Sequence, residues 1–216
     1  GLLPTFAIVG AGIPVAVGAA IGRRTGDSSG VGVAVFGDGS TNIGAFHEAL
    51  NLAKVWDVPV LFLCENNLYG EYSRIDRTTP YEDLHRRAAA YDLPSRAVDG
   101  QDVDTLVAEL GEELETVRRD SSPRFVEVKT YRYVGHSRSD TAPYRRPGEL
   151  DAWLKRDPLT ILGDRLVEEG VLSAEDLQSL DKRVTAEVAA SIEEVKASPA
   201  PELSAMFDHV TASGVH

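Results

Sequence analysis

The chain has 216 residues, enough to bury one large core, and its 43% apolar and 26% charged residues are an ordinary globular balance. A formal charge of −12 argues against nucleic acid or an anionic membrane as the main partner and leaves a basic protein partner open. One cysteine provides no disulfide framework and fits a reducing cytoplasm, while no apolar run has the length of a membrane span and no signal peptide is expected.

Residues 1–148 alternate strand and helix patterns in the rhythm of a parallel sheet, which predicts an α/β fold of three layers with helices on both faces. Phe6–Val9 is a short apolar run that reads as a strand, and the small residues of Pro14–Arg24 read as a closely packing helix. A turn over 25–30 leads to Val31–Phe36, whose lack of polar alternation predicts a strand buried on both faces. Phe46, Ala49, Leu50, Ala53 and Val55 recur at helical spacing over 43–56. Val58–Cys64 is the next buried strand, with Cys64 as a structural thiol.

The polar stretch 68–80 reads as a loop, 81–91 as an amphipathic helix and 95–98 as a short strand. Asp102 is placed to cap a helix that runs to Arg119, and the alternating residues 125–131 read as a strand. A second polar loop occupies 132–148. Residues 149–216 read as a C-terminal helical extension with helices over 149–156, 159–169 and 174–197, their charged faces solvated. Gly1 is not Met, which fits an excised, processed or truncated piece.

Two phosphate sites compete. Gly10-Ala11-Gly12 after the apolar run 6–9 resembles the first turn of a dinucleotide-binding unit, with Asp38 as the ribose acid. The third glycine of that pattern is missing, because Val15 stands there, and Asp38 lies 28 residues beyond Gly10. The rival begins at Gly37-Asp38-Gly39-Ser40, after one buried strand, and resumes 26 residues later at Asn66-Asn67, after the next. Asp38 would give magnesium a charged ligand, Asn67 a neutral one and the turn after it a carbonyl, with diphosphate oxygens completing the shell. Gly39 lets the backbone approach an anion, and Ser40 and Thr41 open a helix whose free N–H groups favour phosphate. This second site explains more residues at once.

Three stretches then carry a resemblance: Gly37–Ala49, Cys64–Gly70 and Thr130–Asp140, together with Tyr144-Arg145. They resemble the α subunit of the decarboxylating component of 2-oxo acid dehydrogenase complexes, the family of pyruvate, acetoin and branched-chain 2-oxo acid dehydrogenases. The resemblance covers nearly the whole chain and implies the thiamine diphosphate-binding fold in its pyrophosphate-type form. It implies that Asp38, Asn67 and the main-chain carbonyl of Tyr69 hold magnesium and that Gly39 and Ser40 contact the diphosphate of thiamine diphosphate. Ala7 and Val9 would line the pyrimidine by their main chain, and His136 would be the catalytic histidine, with Arg132 on the same loop a further cofactor contact. His47, His85, His209 and His216 match nothing in the pattern and read as surface or helix residues.

The same resemblance implies partners. A β subunit supplies the glutamate that activates the cofactor, in a heterotetramer of two α and two β chains, and the acyl unit passes to a lipoyl-bearing acyltransferase. Family members carry a further stretch before the point matching Gly1, including a Tyr-Arg pair on the diphosphate; either a separate polypeptide supplies it, or it was removed or lost, or cofactor binding is impaired. The loop 132–148 is expected to order when cofactor binds. The alternatives are a noncatalytic assembly subunit of the same fold, or an NAD-binding oxidoreductase domain built on residues 6–38.

Overall fold

The structure, a computed structural model, describes residues 2–3, 5–24 and 30–208, so the turn expected over 25–30, apart from Gly30, and the histidines 209 and 216 lie outside the described residues. The chain forms two compact units, 1–162 and 163–216. The helical pattern begins after 148, but the first unit extends further because Glu149 is hydrogen-bonded to Tyr69 and Tyr131.

The first unit is built on four strands: β1 (Gly32–Gly37), β2 (Val60–Asn66), β5 (Ser95–Asp99) and β6 (Arg124–Lys129). They lie in the order β1-β2-β6-β5 and every neighbouring pair is parallel. Helices α1 (Gly12–Arg24) and α2 (Gly44–Val55) cover one face, where Val17, Ala20, Phe46 and Leu50 meet Phe36, Phe62 and Phe125. Helix α3 (Val103–Asp120), capped by Asp102 as its position predicts, brings Val117, Leu106, Leu110 and Leu114 to Leu61, Val98, Val126 and Val128 on the other. Three layers result, as the alternating pattern requires.

Three expectations are corrected. Phe6–Val9 is not a strand: its residues form a bend and turn leading into α1, with Ile8 and Val9 exposed. Without that strand the dinucleotide unit loses its first element. Strand β1 is buried on one face only, because it lies at the sheet edge beyond the reach of α3, and Val33 and Val35 are exposed. The strand read over 125–131 is shorter at its end: β6, an inner strand of the sheet, stops at Lys129, and it buries Glu127 completely.

The region read as the loop 68–80 contains a two-residue hairpin, β3 (Tyr69–Gly70) against β4 (Ser73–Arg74), turned by Glu71 at φ 53°. The helix expected at 81–91 is a 3-10 helix, Leu84–Tyr91, that buries Leu84 and Ala88. Two short helices close the first unit, α4 (Glu149–Leu154) and the first turn of α5 (Pro158–Glu168). In the second unit α6 (Ala174–Ala197) starts at a capping box in which Ser173 and Asp176 satisfy each other's backbone N–H groups. Among the described residues no helix is long and apolar enough to cross a membrane.

Candidate functional site

Parallel pairing of Gly37 with Glu65 ends β1 and β2 at the same level of the sheet. The residues that follow each strand are therefore neighbours. Asp38–Asn42 folds into a short 3-10 helix, held within by the Thr41 hydroxyl donating to the Asp38 carbonyl at 2.7 Å. Arg87 clamps its far end through the Thr41 carbonyl and the Asn42 side chain. The helix expected to open at Ser40 and Thr41 begins only at Gly44, so it is this 3-10 turn that faces the site.

The two asparagines divide their work. Asn66 is fully buried, and its amide donates to Glu127 at 2.6 Å and to the Glu82 carbonyl at 3.0 Å. Its side-chain oxygen takes the N–H of Leu68, which sits at φ 72°, so Asn66 shapes the turn. Asn67 accepts the N–H of Tyr69 at 3.0 Å, and its own N–H donates to the Asp38 carboxylate. Gly39 then lies against Gly70, so closely that a side chain on either would force the two apart by a few tenths of an ångström. The structure thus brings Asp38, Gly39, Ser40, Asn67 and Tyr69 together.

Asp38 is 3% exposed, and burial pushes its carboxyl up to about 6. Two N–H groups, its own and that of Asn67, and the charge of Arg132 pull the other way, while Glu127 adds to the rise. A buried carboxyl in this state is one that a divalent cation would hold ionised. The donor set of carboxylate, carboxamide and carbonyl is of the hard-oxygen kind that suits magnesium. Among the described residues no cluster of three or more His, Cys, Asp or Glu side chains could hold a metal, so a cation here would draw on neutral oxygens and on a bound phosphate.

The loop 132–148 lies over the hairpin. Arg132 donates to the Glu71 carbonyl at 2.5 Å and to the Tyr144 hydroxyl at 3.0 Å, and its guanidinium stands 6.0 Å from the Tyr69 ring. Its Nε is buried without a hydrogen-bond partner. His136 is exposed on the same loop, with its ring edge-on to Tyr72. Arg132 donates to its Nδ1 at 3.1 Å, which leaves the proton of the neutral ring on Nε2. Ala7 and Val9 are exposed in the turn before α1, which touches the site's frame where Gly10, at φ 75°, packs on Ile43.

Three residues of this frame have no site role assigned from the sequence, Glu127 and Glu149 falling in no motif and Arg145 only in the Tyr144-Arg145 pair. Glu127 accepts from Asn66, from the backbone N–H of His85 at 2.9 Å and from Lys129 at 3.0 Å. Its carboxylate also pairs with the His85 ring at 2.8 Å, so His85 is part of this frame and not merely a surface residue. Arg145 donates to three consecutive carbonyls, and Glu149 ties Tyr69 to α4. A lone acid in an apolar strand is the one signal that could have singled out Glu127. His47 bonds the Tyr91 hydroxyl at 2.7 Å, away from Asp38. Cys64 is buried, as expected, and burial pushes its thiol up.

A family model described as dehydrogenase E1 component matches residues 1–204. The chloroplastic pyruvate dehydrogenase E1 component subunit alpha-3 of Oryza sativa is 36% identical over 218 residues, covering 97% of this chain and 51% of that protein. The α subunit of the acetoin:2,6-dichlorophenolindophenol oxidoreductase of Cupriavidus necator is 36% identical over 202 residues, 93% of this chain and 61% of its own length. The pyruvate dehydrogenase E1 component subunit alpha of Rhizobium meliloti is 34% identical over 204 residues, 94% of this chain and 59% of that protein. The chain thus spans between half and two thirds of the length of the curated relatives it matches.

Proposed function

The chain belongs to the dehydrogenase E1 component family, and from that premise we propose that it is the α subunit, or part of one, of a thiamine diphosphate-dependent 2-oxo acid or acetoin dehydrogenase. The observation that carries this reading is Asp38: a buried carboxyl raised to about 6, fed by the Asn67 N–H at the ends of two adjacent parallel strands. Nothing in the packing of the sheet calls for a charge there, whereas a cation-bridged diphosphate does.

In this reading the side chains of Asp38 and Asn67 and the carbonyl of Tyr69 hold magnesium. Gly39 and Ser40 meet the diphosphate, and the main chain at Ala7 and Val9 lines the pyrimidine. When bound, thiamine diphosphate supplies the nucleophile and the electron sink for losing carbon dioxide or cleaving the substrate. Arg132 brings positive charge toward the phosphates and fixes the His136 ring, so that the Nε2–H is offered toward negative charge developing on the substrate. The loop between them shields that charge from water.

The working assembly is a heterotetramer of two α and two β chains. The acyl unit passes to a lipoyl-bearing acyltransferase, and the assembly works in the cytoplasm. Titration calorimetry with magnesium and thiamine diphosphate, with and without a β subunit of this family, tests the reading. Binding that requires magnesium and disappears in Asp38→Asn is expected. Absence of binding in both preparations would favour a noncatalytic assembly subunit instead.

A further inference from the structure

We propose that Glu149 is a positioning residue of the cation site, holding Tyr69 from the far side of the hairpin so that its main-chain carbonyl stays aimed at the metal. The proposal rests on the reading above, in which that carbonyl is a magnesium ligand. Glu149 is the first residue of α4, 80 residues from Tyr69 in sequence, and its side chain is 10% exposed. One carboxylate oxygen accepts the Tyr69 hydroxyl at 2.7 Å and the Tyr131 hydroxyl at 3.1 Å. The other accepts Arg74 Nε at 3.2 Å.

Tyr69 and Arg74 are partners across β3 and β4. A single carboxylate therefore grips both members of a cross-strand pair by their side chains. A two-residue ladder has little stability of its own in water, so the hairpin depends on such outside anchors. Tyr131 adds the segment that follows β6, and Trp153, stacked on Tyr131 at 5.4 Å and 9° between planes, fixes α4 in place over it.

Tyr69 is consequently held at both ends. Its backbone N–H is bound by the Asn67 side chain at 3.0 Å and its phenol by Glu149. The next residue, Gly70, touches Gly39, the neighbour of Asp38. Any shift of the tyrosine along the hairpin would therefore move a metal ligand and the backbone beside another.

A staple that merely fastened α4 to the sheet would leave cation binding alone, and this separates the two roles. Tyr69→Phe removes the bond to Glu149 while keeping the carbonyl and the staple through Tyr131 and Arg74. Glu149→Gln keeps an acceptor and loses the charge. Each variant is expected to raise the magnesium concentration needed for half-maximal thiamine diphosphate binding by about 10-fold or more, the range for residues that orient a ligand from behind. The double variant is expected to fall short of the two single effects combined, because both single variants act on the Tyr69–Glu149 bond.

Hydrogen exchange of the unliganded chain gives the second readout: amides of residues 66–74 should exchange faster in both variants. Unchanged exchange there, or magnesium effects that simply add, would overturn the proposal. Failure of the wild-type chain to bind thiamine diphosphate with magnesium, with or without a β subunit, would overturn the functional reading. The exchange of residues 66–74 would then decide by itself whether Glu149 holds Tyr69.

Discussion

Gly39 and Gly70 meet face to face, so that a Cβ built on either would lie 3.3 Å from the Cα of the other. This contact sets the spacing between the turn that carries Asp38 and the hairpin that follows Asn67. Gly70→Ala and Gly39→Ala should each push the two apart by a few tenths of an ångström. The expected loss of stability is small, about 1 kcal/mol, at the low end for overpacking. The loss in magnesium-dependent cofactor affinity should exceed it. Urea unfolding and calorimetry on the same samples compare the two; affinity matching wild type in both variants would show that the spacing is not critical.

The Asp38 carboxyl, pushed up to about 6 from 3.8 by burial, keeps a proton in the folded chain that the unfolded chain has released. Without a divalent cation, stability should therefore fall as pH rises from about 4 to about 6, by up to roughly 3 kcal/mol. Asp38→Asn removes this loss. In chelator near neutral pH the variant should be more stable than wild type, with the advantage gone below about pH 4. Magnesium and cofactor should reverse the order by stabilising wild type alone. Parallel unfolding curves for the two proteins at all pH values would contradict the buried ionisation.

Much of this arrangement is legible from residues close together in sequence. Buried runs gave β2, and helical spacing gave α2 and α6, because each signal is local. The pairing of Asp38 with Asn67 was readable because both sit at strand ends, and adjacent parallel strands bring those ends together. What escaped is what depends on distant partners. Glu149 reaches Tyr69 across 80 residues and Glu127 reaches His85 across 42, and neither separation leaves a spacing to recognise. The run Phe6–Val9 misled for the opposite reason: it has the composition of a strand, but in this structure no neighbouring strand pairs with it.

Glu127 should show the opposite pH signature to Asp38. Burial opposes its charge, but donors from Asn66, His85 and Lys129 outweigh that and hold the carboxyl below its ordinary range. Its stabilisation is therefore present above the unfolded pKa and lost as pH falls through the folded one. Glu127→Ala would leave the His85 N–H without its acceptor and one of the two Asn66 amide bonds unmade. A loss of about 3 kcal/mol near neutral pH is expected, as for a buried pair broken on one side. The wild-type and variant curves should converge in acid. A constant gap down to the acid limit would mean that Glu127 acts through packing and not through charge.

The loop carrying His136 has a frame of its own. Arg145 donates to the carbonyls of Arg132, Tyr133 and Val134 at 2.5, 2.7 and 2.7 Å. Asp140 accepts the His136 N–H at 2.7 Å, the Ala142 N–H at 2.7 Å and the Tyr144 hydroxyl at 2.6 Å. Gly135 is required beneath it, since a Cβ there would lie 2.2 Å from the Asp140 carbonyl oxygen. Part of the loop's order should then precede cofactor binding, with the cofactor adding to it. Arg145→Ala releases three carbonyls at once, and with about 1 kcal/mol net for each bond the His136 amide should exchange at least about tenfold faster in the unliganded chain. Asp140→Asn should act in the same direction through the His136 N–H itself. If the wild-type loop already exchanges at the rate of an open chain, and neither variant changes it, the frame does not hold in solution and ordering waits entirely on the cofactor.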